Sequence, residues 1–241
     1  MKNKFSFFVI LMILSFCTGS CLKEWIGLEG SGQVLSEERS VSGFKNIELD
    51  ISADVEVIYD SLFSVEVSDY ENLLEYISTE VKGDNLLIRH YPRNLNIRHS
   101  TAKLRVSMPS LNSVTMNGSG KISVMSGYNQ LQSVNISGSG EISALEPFNT
   151  LSLTVDIDGS GKFLAAGKAD QLNINISGSG DIDCFGLEAQ RTTCHISGSG
   201  DAFVNVVRHL DVNISGSGNT VYMGNPTISS KISGSGKVKS W

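Results

Sequence analysis

Along residues 111–241 apolar and polar side chains alternate at period two, and the tripeptide Gly-Ser-Gly interrupts the alternation at nearly fixed intervals. Four residues before the last glycine of each copy stand Met116, Ile136, Ile157, Ile176, Ile196, Ile214 and Ile232. Six before it stand Val114, Val134, Val155, Ile174, Cys194, Val212 and Ser230, and two after it Ile122, Ile142, Phe163, Ile182, Ala202, Thr220 and Val238. The position five before is polar throughout: Thr115, Asn135, Asp156, Asn175, His195, Asn213 and Lys231. Alternation on both sides of a glycine turn predicts short strands with one buried face. The final glycines are 20, 21, 19, 20, 18 and 18 residues apart, so the pattern is a repeat.

Strands this short cannot bury a face alone, and a period of about 20 residues leaves no room for helices or for four-stranded antiparallel units. The period therefore predicts an all-β fold, a single-stranded parallel β-helix in which a coil of two or three strands stacks on the next. Its corners are the glycine pairs Gly118 and Gly120, Gly138 and Gly140, Gly159 and Gly161, Gly178 and Gly180, Gly198 and Gly200, Gly216 and Gly218, and Gly234 and Gly236. Glycine serves there because it accepts positive φ and lets backbones approach closely. In the less regular half of each unit, Leu151, Leu172 and Leu210 are expected to form a further inward stripe. The 21-residue step predicts a bulge or longer turn, and the 18-residue steps predict a narrower coil near the end.

Residues 41–241 read as one β-helix domain, regular over 111–241 and irregular over 41–110. In the irregular part alternation starts at Ile47, Leu49 and Ile51 and returns at Val55 and Val57, at Val65 and Val67, and at Leu104, Val106 and Met108. This stretch reads as opening rungs of the same coil, with a small β-sandwich as the alternative. Residues 71–78 read as a short helix or loop carrying Leu73, Leu74 and Ile77 as a cap-like patch. No capping helix precedes Trp241, so either Trp241 folds over the solenoid end or a partner covers it.

Residues 21–40, rich in Gly and Ser, read as a flexible tether. Before them, Lys2 and Lys4 lead an apolar run from Phe5 to Phe16, which reads as a signal peptide over residues 1–20. Thr18-Gly19-Ser20-Cys21 looks like a lipobox and marks Cys21 for lipidation, although Thr18 stands where leucine is usual. An ordinary signal with an unmodified Cys21 is the alternative.

The formal net charge of -6 becomes -8 once Lys2 and Lys4 leave with the leader, and no basic stripe is evident. That argues against a nucleic-acid partner. Asp156 with Asp158, and Asp181 with Asp201, are the nearest approach to a paired-carboxylate site. The second pair shares its column with Lys121, Glu141 and Lys162, which favours solvated carboxylates. Ser or Asn replaces aspartate beside most glycine turns, with Asp158 the exception, so calcium sites are not expected. His195 should face outward and Cys194 inward, which argues against a catalytic pair or a metal site. Cys184 and Cys194 read as small core residues, with a cross-core disulfide as the alternative. His90, His99 and His209 suggest no cluster, the tyrosines are scattered, and no aromatic platform, catalytic set, metal site or cofactor is expected. One outward face carries a ladder of Asn135, Asn175, Asn213, Ser137, Ser177, Ser197, Ser215 and Ser233. It suits repeated weak contact with a glycan or another protein, or simply a soluble face.

The run Val41-Ser42-Gly43-Phe44-Lys45-Asn46-Ile47 and the recurring Asn-Ile-Ser-Gly-Ser-Gly (135–140, 175–180, 213–218) resemble the putative auto-transporter adhesin head GIN domain family over roughly residues 41–238. The resemblance implies a right-handed parallel β-helix, a Bacteroidetes-type cell-envelope lipoprotein with an outer-membrane address, and no family catalytic residues to carry over. The function expected is noncatalytic and adhesive or structural, through glycan or envelope-protein contact and a lipid anchor at Cys21. Self-association through a solenoid end is a further expected contact. The alternatives are a polysaccharide-active β-helix enzyme and an envelope sensor or assembly partner.

Overall fold

In the computed structural model of the protein, residues 27–125 and 128–241 are described. The leader and Cys21 lie outside them. In chain order the elements are β1 (Leu28–Glu29), β2 (Val34–Arg39), β3 (Asn46–Leu49), β4 (Asp54–Tyr59), β5 (Ser64–Tyr70), α1 (Glu71–Leu74), β6 (Ile77–Lys82), β7 (Asn85–His90), β8 (Ile97–Arg98), β9 (Lys103–Met108), β10 (Ser113–Met116) and β11 (Lys121–Val124). They continue with β12 (Ser133–Gly138), β13 (Glu141–Gly159), β14 (Lys162–Gly178), β15 (Asp181–Gly198), β16 (Ala202–Gly216), β17 (Asn219–Met223), β18 (Thr227–Gly234) and β19 (Lys237–Ser240).

From β10 onward every pairing is parallel and joins one coil to the next, so the chain is a parallel β-solenoid with coils of about 20 residues. Equivalent positions stack: Ile157 pairs with Ile176, Ile176 with Ile196, and Ile196 with Ile214. These side chains are buried, as are Val155, Ile174, Cys194 and Val212 beside them. Burying each Ile or Val contributes about 1.5–3 kcal/mol, and the columns repeat that gain at every coil.

The inward stripe in the other half-unit runs through Leu153, Leu172, Thr192 and Leu210, and Leu151 is not part of it. Leu151 is 78% exposed. A second corner of the coil falls at this position, level with Asp170 on the next coil, and swings both side chains outward despite their inward parity. The long coil accommodates its added length where the register shifts between Ala144 and Phe148. The shortened coils lose theirs where the register shifts between Cys184 and Glu188.

The opening third forms two coils and an antiparallel cap. β3 and β4 make one coil, lying directly under β10 and β11. β7 and β9 make another, and it stacks on the opposite side of β3 and β4. β6 and β5 then pair antiparallel to β7 and β9, and β2 pairs antiparallel to β5. Leu73 and Leu74 of α1 are buried beneath this cap. Residues 28–39 are thus largely strand, not a flexible tether, with β1 on β8 and β2 on β5. The order of β2 comes from backbone pairing, and its mostly exposed side chains left no alternation to read.

At the other end β18 is exposed along its length, including Ile228 and Ile232. Trp241 does not fold over this end. Its ring lies on the flank against Phe185, with centroids 5.1 Å apart.

Candidate functional site: a polar ladder on the solenoid flank

The corners set the direction of every side chain beside them. At Gly178 φ is +125°, and an added Cβ would lie 2.5 Å from the Gly159 carbonyl oxygen. At Gly180 φ is ordinary, yet a Cβ would lie 2.6 Å from the Gly161 oxygen. One glycine answers to conformation and the other to closeness. The backbone ladder runs straight through the corner, as Ser179 N–H donates to Gly159 O at 2.8 Å and Asp181 N–H to Gly161 O at 3.0 Å. The serines between the glycines are left exposed.

With the corners stacked, the outward positions of the preceding strands fall into two columns. Asn135, Asp156, Asn175, His195, Asn213 and Lys231 are in register, and so are Ser137, Asp158, Ser177, Ser197, Ser215 and Ser233. Asn175 donates to Asp156 Oδ1 at 2.7 Å, and Asn135 donates to Ser133 Oγ at 3.1 Å. Over three coils the columns border a shallow groove of about 230 Å³ lined by Asn175, Ser177, His195, Ser197, Asn213 and Ser215, with Ile176 and Ile196 at its floor. Such a surface offers amide, hydroxyl and imidazole groups at strand spacing, ~4.8 Å apart. It can exchange hydrogen bonds with a repeating polar ligand.

The acidic candidates have other partners. Asp181 Oδ1 accepts the Asp201 N–H at 3.0 Å, and Asp201 Oδ1 accepts the Asn219 N–H at 2.8 Å. These carboxylates tie one coil to the next across the corner. Below them the same column alternates in sign: Lys103 pairs with Asp54, Asp54 with Lys121, Lys121 with Glu141, Glu141 with Lys162, and Lys162 with Asp181. Lys121 and Glu141 close to 2.9 Å. Exposed pairs of this kind contribute up to ~1 kcal/mol each. Asp156 is engaged by Asn175, and Asp158 is exposed.

Cys184 and Cys194 are free thiols in the core. Burial pushes both thiols up, Cys194 to about 12 despite the hydrogen bond to Thr220, whose Oγ1 lies 3.6 Å from the sulfur. His195 faces outward, away from Cys194. His90 and His99 lie at the capped end, where His99 Nδ1 is 2.9 Å from Glu29. Among the described residues no group of His, Cys, Asp and Glu could hold a metal ion. No helix among them is long and apolar enough to cross a membrane.

An aromatic cluster escaped the sequence reading. Phe185 packs edge-on against Phe203 at 5.4 Å as well as against Trp241. Phe203 is level with Asp183, and Phe185 lies where the register shifts, so no fixed repeat spacing announces the contact.

Residues 43–226 match the model of the family described as putative auto-transporter adhesin, head GIN domain. The chain belongs to this family. Among solved structures, a putative adhesin from Bacteroides fragilis is similar at 22% identity and a TM-score of 0.81, covering 89% of this chain and 100% of that one. A putative lipid binding protein from Parabacteroides distasonis is 26% identical with a TM-score of 0.73, covering 90% of this chain and all of its own. A putative adhesin from Parabacteroides merdae is 21% identical with a TM-score of 0.62, covering 89% of this chain and 99% of that one. Among curated proteins nothing matches the chain.

Proposed function

We propose that the protein is a noncatalytic, adhesin-like protein of the bacterial cell envelope, and that the in-register Asn/Ser ladder is its contact surface for a glycan or another envelope protein. The observation that carries this reading is the repetition of exposed polar groups over successive coils beside a shallow groove. Repetition favours many weak contacts, whose combined strength grows with the number engaged together. The family and its relatives described as adhesins support the same role. Anchoring in the outer membrane through lipid on Cys21 belongs to this proposal and rests on the leader pattern alone.

The test is retention of defined glycans and purified envelope proteins on immobilised protein, comparing wild type with Asn175→Ala/His195→Ala/Asn213→Ala. Loss of a retained ligand in the triple variant is the expected result. Retention that ignores the triple variant removes the ladder as the contact surface, and turnover of a polysaccharide overturns the noncatalytic reading. Labelling with a lipid precursor, present in wild type and lost in Cys21→Ser, checks the anchor.

A further inference from the structure

The second corner of the coil carries a groove that the adhesive reading does not use. It has a volume of about 500 Å³ and is lined by Asp170, Gln171, Gln190, Arg191 and Arg208. These residues come from three successive coils: Gln171 is in register with Arg191, and Arg191 with His209, the neighbour of Arg208. The corner that turned Leu151 outward also turns Asp170 outward.

Two properties set this groove apart. Arg39, Arg89 and Arg105 are each paired with a glutamate, whereas Arg191 and Arg208, like Arg93 and Arg98 at the capped end, have no carboxylate partner among the described residues, and Arg191 and Arg208 line one groove together. Two exposed, unpaired guanidinium groups on adjacent coils are a local concentration of positive charge on a chain of net charge -6. The lining is also wholly polar and rich in planar groups. Guanidinium forks bind carboxylate or sulfate oxygens in pairs. The Gln171 and Gln190 amides can each donate and accept, and the Asp170 carboxylate accepts, which suits hydroxyl groups. No apolar or aromatic side chain lines the groove, so an acyl chain or the hydrophobic anchor of a peptide would bury nothing there.

We propose that this groove binds an anionic glycan, with Arg191 and Arg208 holding a carboxylate or sulfate group and Gln171, Gln190 and Asp170 engaging the neighbouring hydroxyls. The coils advance ~4.8 Å each, close to the length of one sugar unit, so a chain lying along the solenoid axis would present successive sugars to successive coils. The site lies at a different corner from the Asn/Ser ladder and does not depend on it.

The experiment uses the full chain and measures binding to immobilised polygalacturonate (carboxylate only), dextran sulfate (sulfate only) and neutral dextran. We expect at least one anionic polymer to bind more tightly than dextran, with affinity falling as salt is raised. Arg191→Gln/Arg208→Gln should weaken that binding about tenfold or more, the scale of losing charge-assisted hydrogen bonds. Polygalacturonate binding alone assigns a uronate, and dextran sulfate binding alone assigns a sulfate ester. Equal binding of dextran, no binding of either anionic polymer, or unchanged affinity in the double arginine variant overturns the proposal. Thermal melting verifies that the variant is folded, and Arg191→Lys/Arg208→Lys, which keeps charge but loses the fork, should be intermediate. The Asn175→Ala/His195→Ala/Asn213→Ala variant should retain this binding, so failure of the ladder and failure of the groove are read separately.

Discussion

Thr192 stands in an inward column between Leu172 and Leu210, and its buried hydroxyl finds no hydrogen-bond partner. An unsatisfied buried hydroxyl costs about 1–3 kcal/mol. Thr192→Val keeps the shape and removes the polar atom, so we expect it to raise stability by ~1 kcal/mol in denaturant unfolding. The corner glycines respond in the opposite direction. Gly178→Ala meets both positive φ and the Gly159 carbonyl oxygen, and should cost at least about 1–3 kcal/mol. Ser179→Ala, at the exposed position beside it, should change stability by less than ~0.5 kcal/mol. The Gly-Ser-Gly corners were legible because they combine an unusual residue with a fixed period. The outward turn at Leu151 was not, because that second corner is built from whatever residues fall there and has no composition of its own.

Among the elements, one buried carboxylate ties the segment before β9 to the capped end. Asp69, on β5, accepts the Thr101 N–H at 2.8 Å and the Ser100 hydroxyl at 2.6 Å, fastening the segment before β9 to the cap. Asp69→Ala should cost about 1.5–3 kcal/mol and speed hydrogen exchange at Thr101 first. Close by, His90 at the end of β7 has a buried Nε2 without a partner. Burial holds its imidazole below the usual 6.5, with the Asp69 charge opposing. The neutral form belongs to the folded state, so its contribution is complete above pH 6.5 and is lost as pH falls toward the lower folded value. His90→Gln should therefore flatten the fall in melting temperature between about pH 7 and pH 5. Antiparallel β2 and β5 were hard to read as a cap because antiparallel and parallel strands share the same period of two. Direction is decided by distant partners rather than by local pattern.

For the whole molecule, stability accumulates coil by coil, since each contacts chiefly its neighbours. Deleting residues 181–200 removes one 20-residue unit and joins equivalent corners, so the shortened chain should still fold, with a smaller denaturant m-value in proportion to the area lost. Deleting residues 46–59 should abolish folding, because β3 and β4 lie between the β7/β9 coil and the β10/β11 coil. Far-ultraviolet circular dichroism distinguishes the two outcomes. The repeat made the stacking readable from single positions, while the placement of β3 and β4 depends on pairings with strands up to about 70 residues away.

That placement also gives assembly a direction. As the chain emerges from its N-terminus, β3 and β4 appear early but stay open on both sides until β9 closes one and β11 the other. The cap and the first three coils must therefore condense together as a single seed. Once they have done so, only one growing edge is left, and each new Gly-Ser-Gly unit can add to it in the order of synthesis, as in zipping from a sealed end.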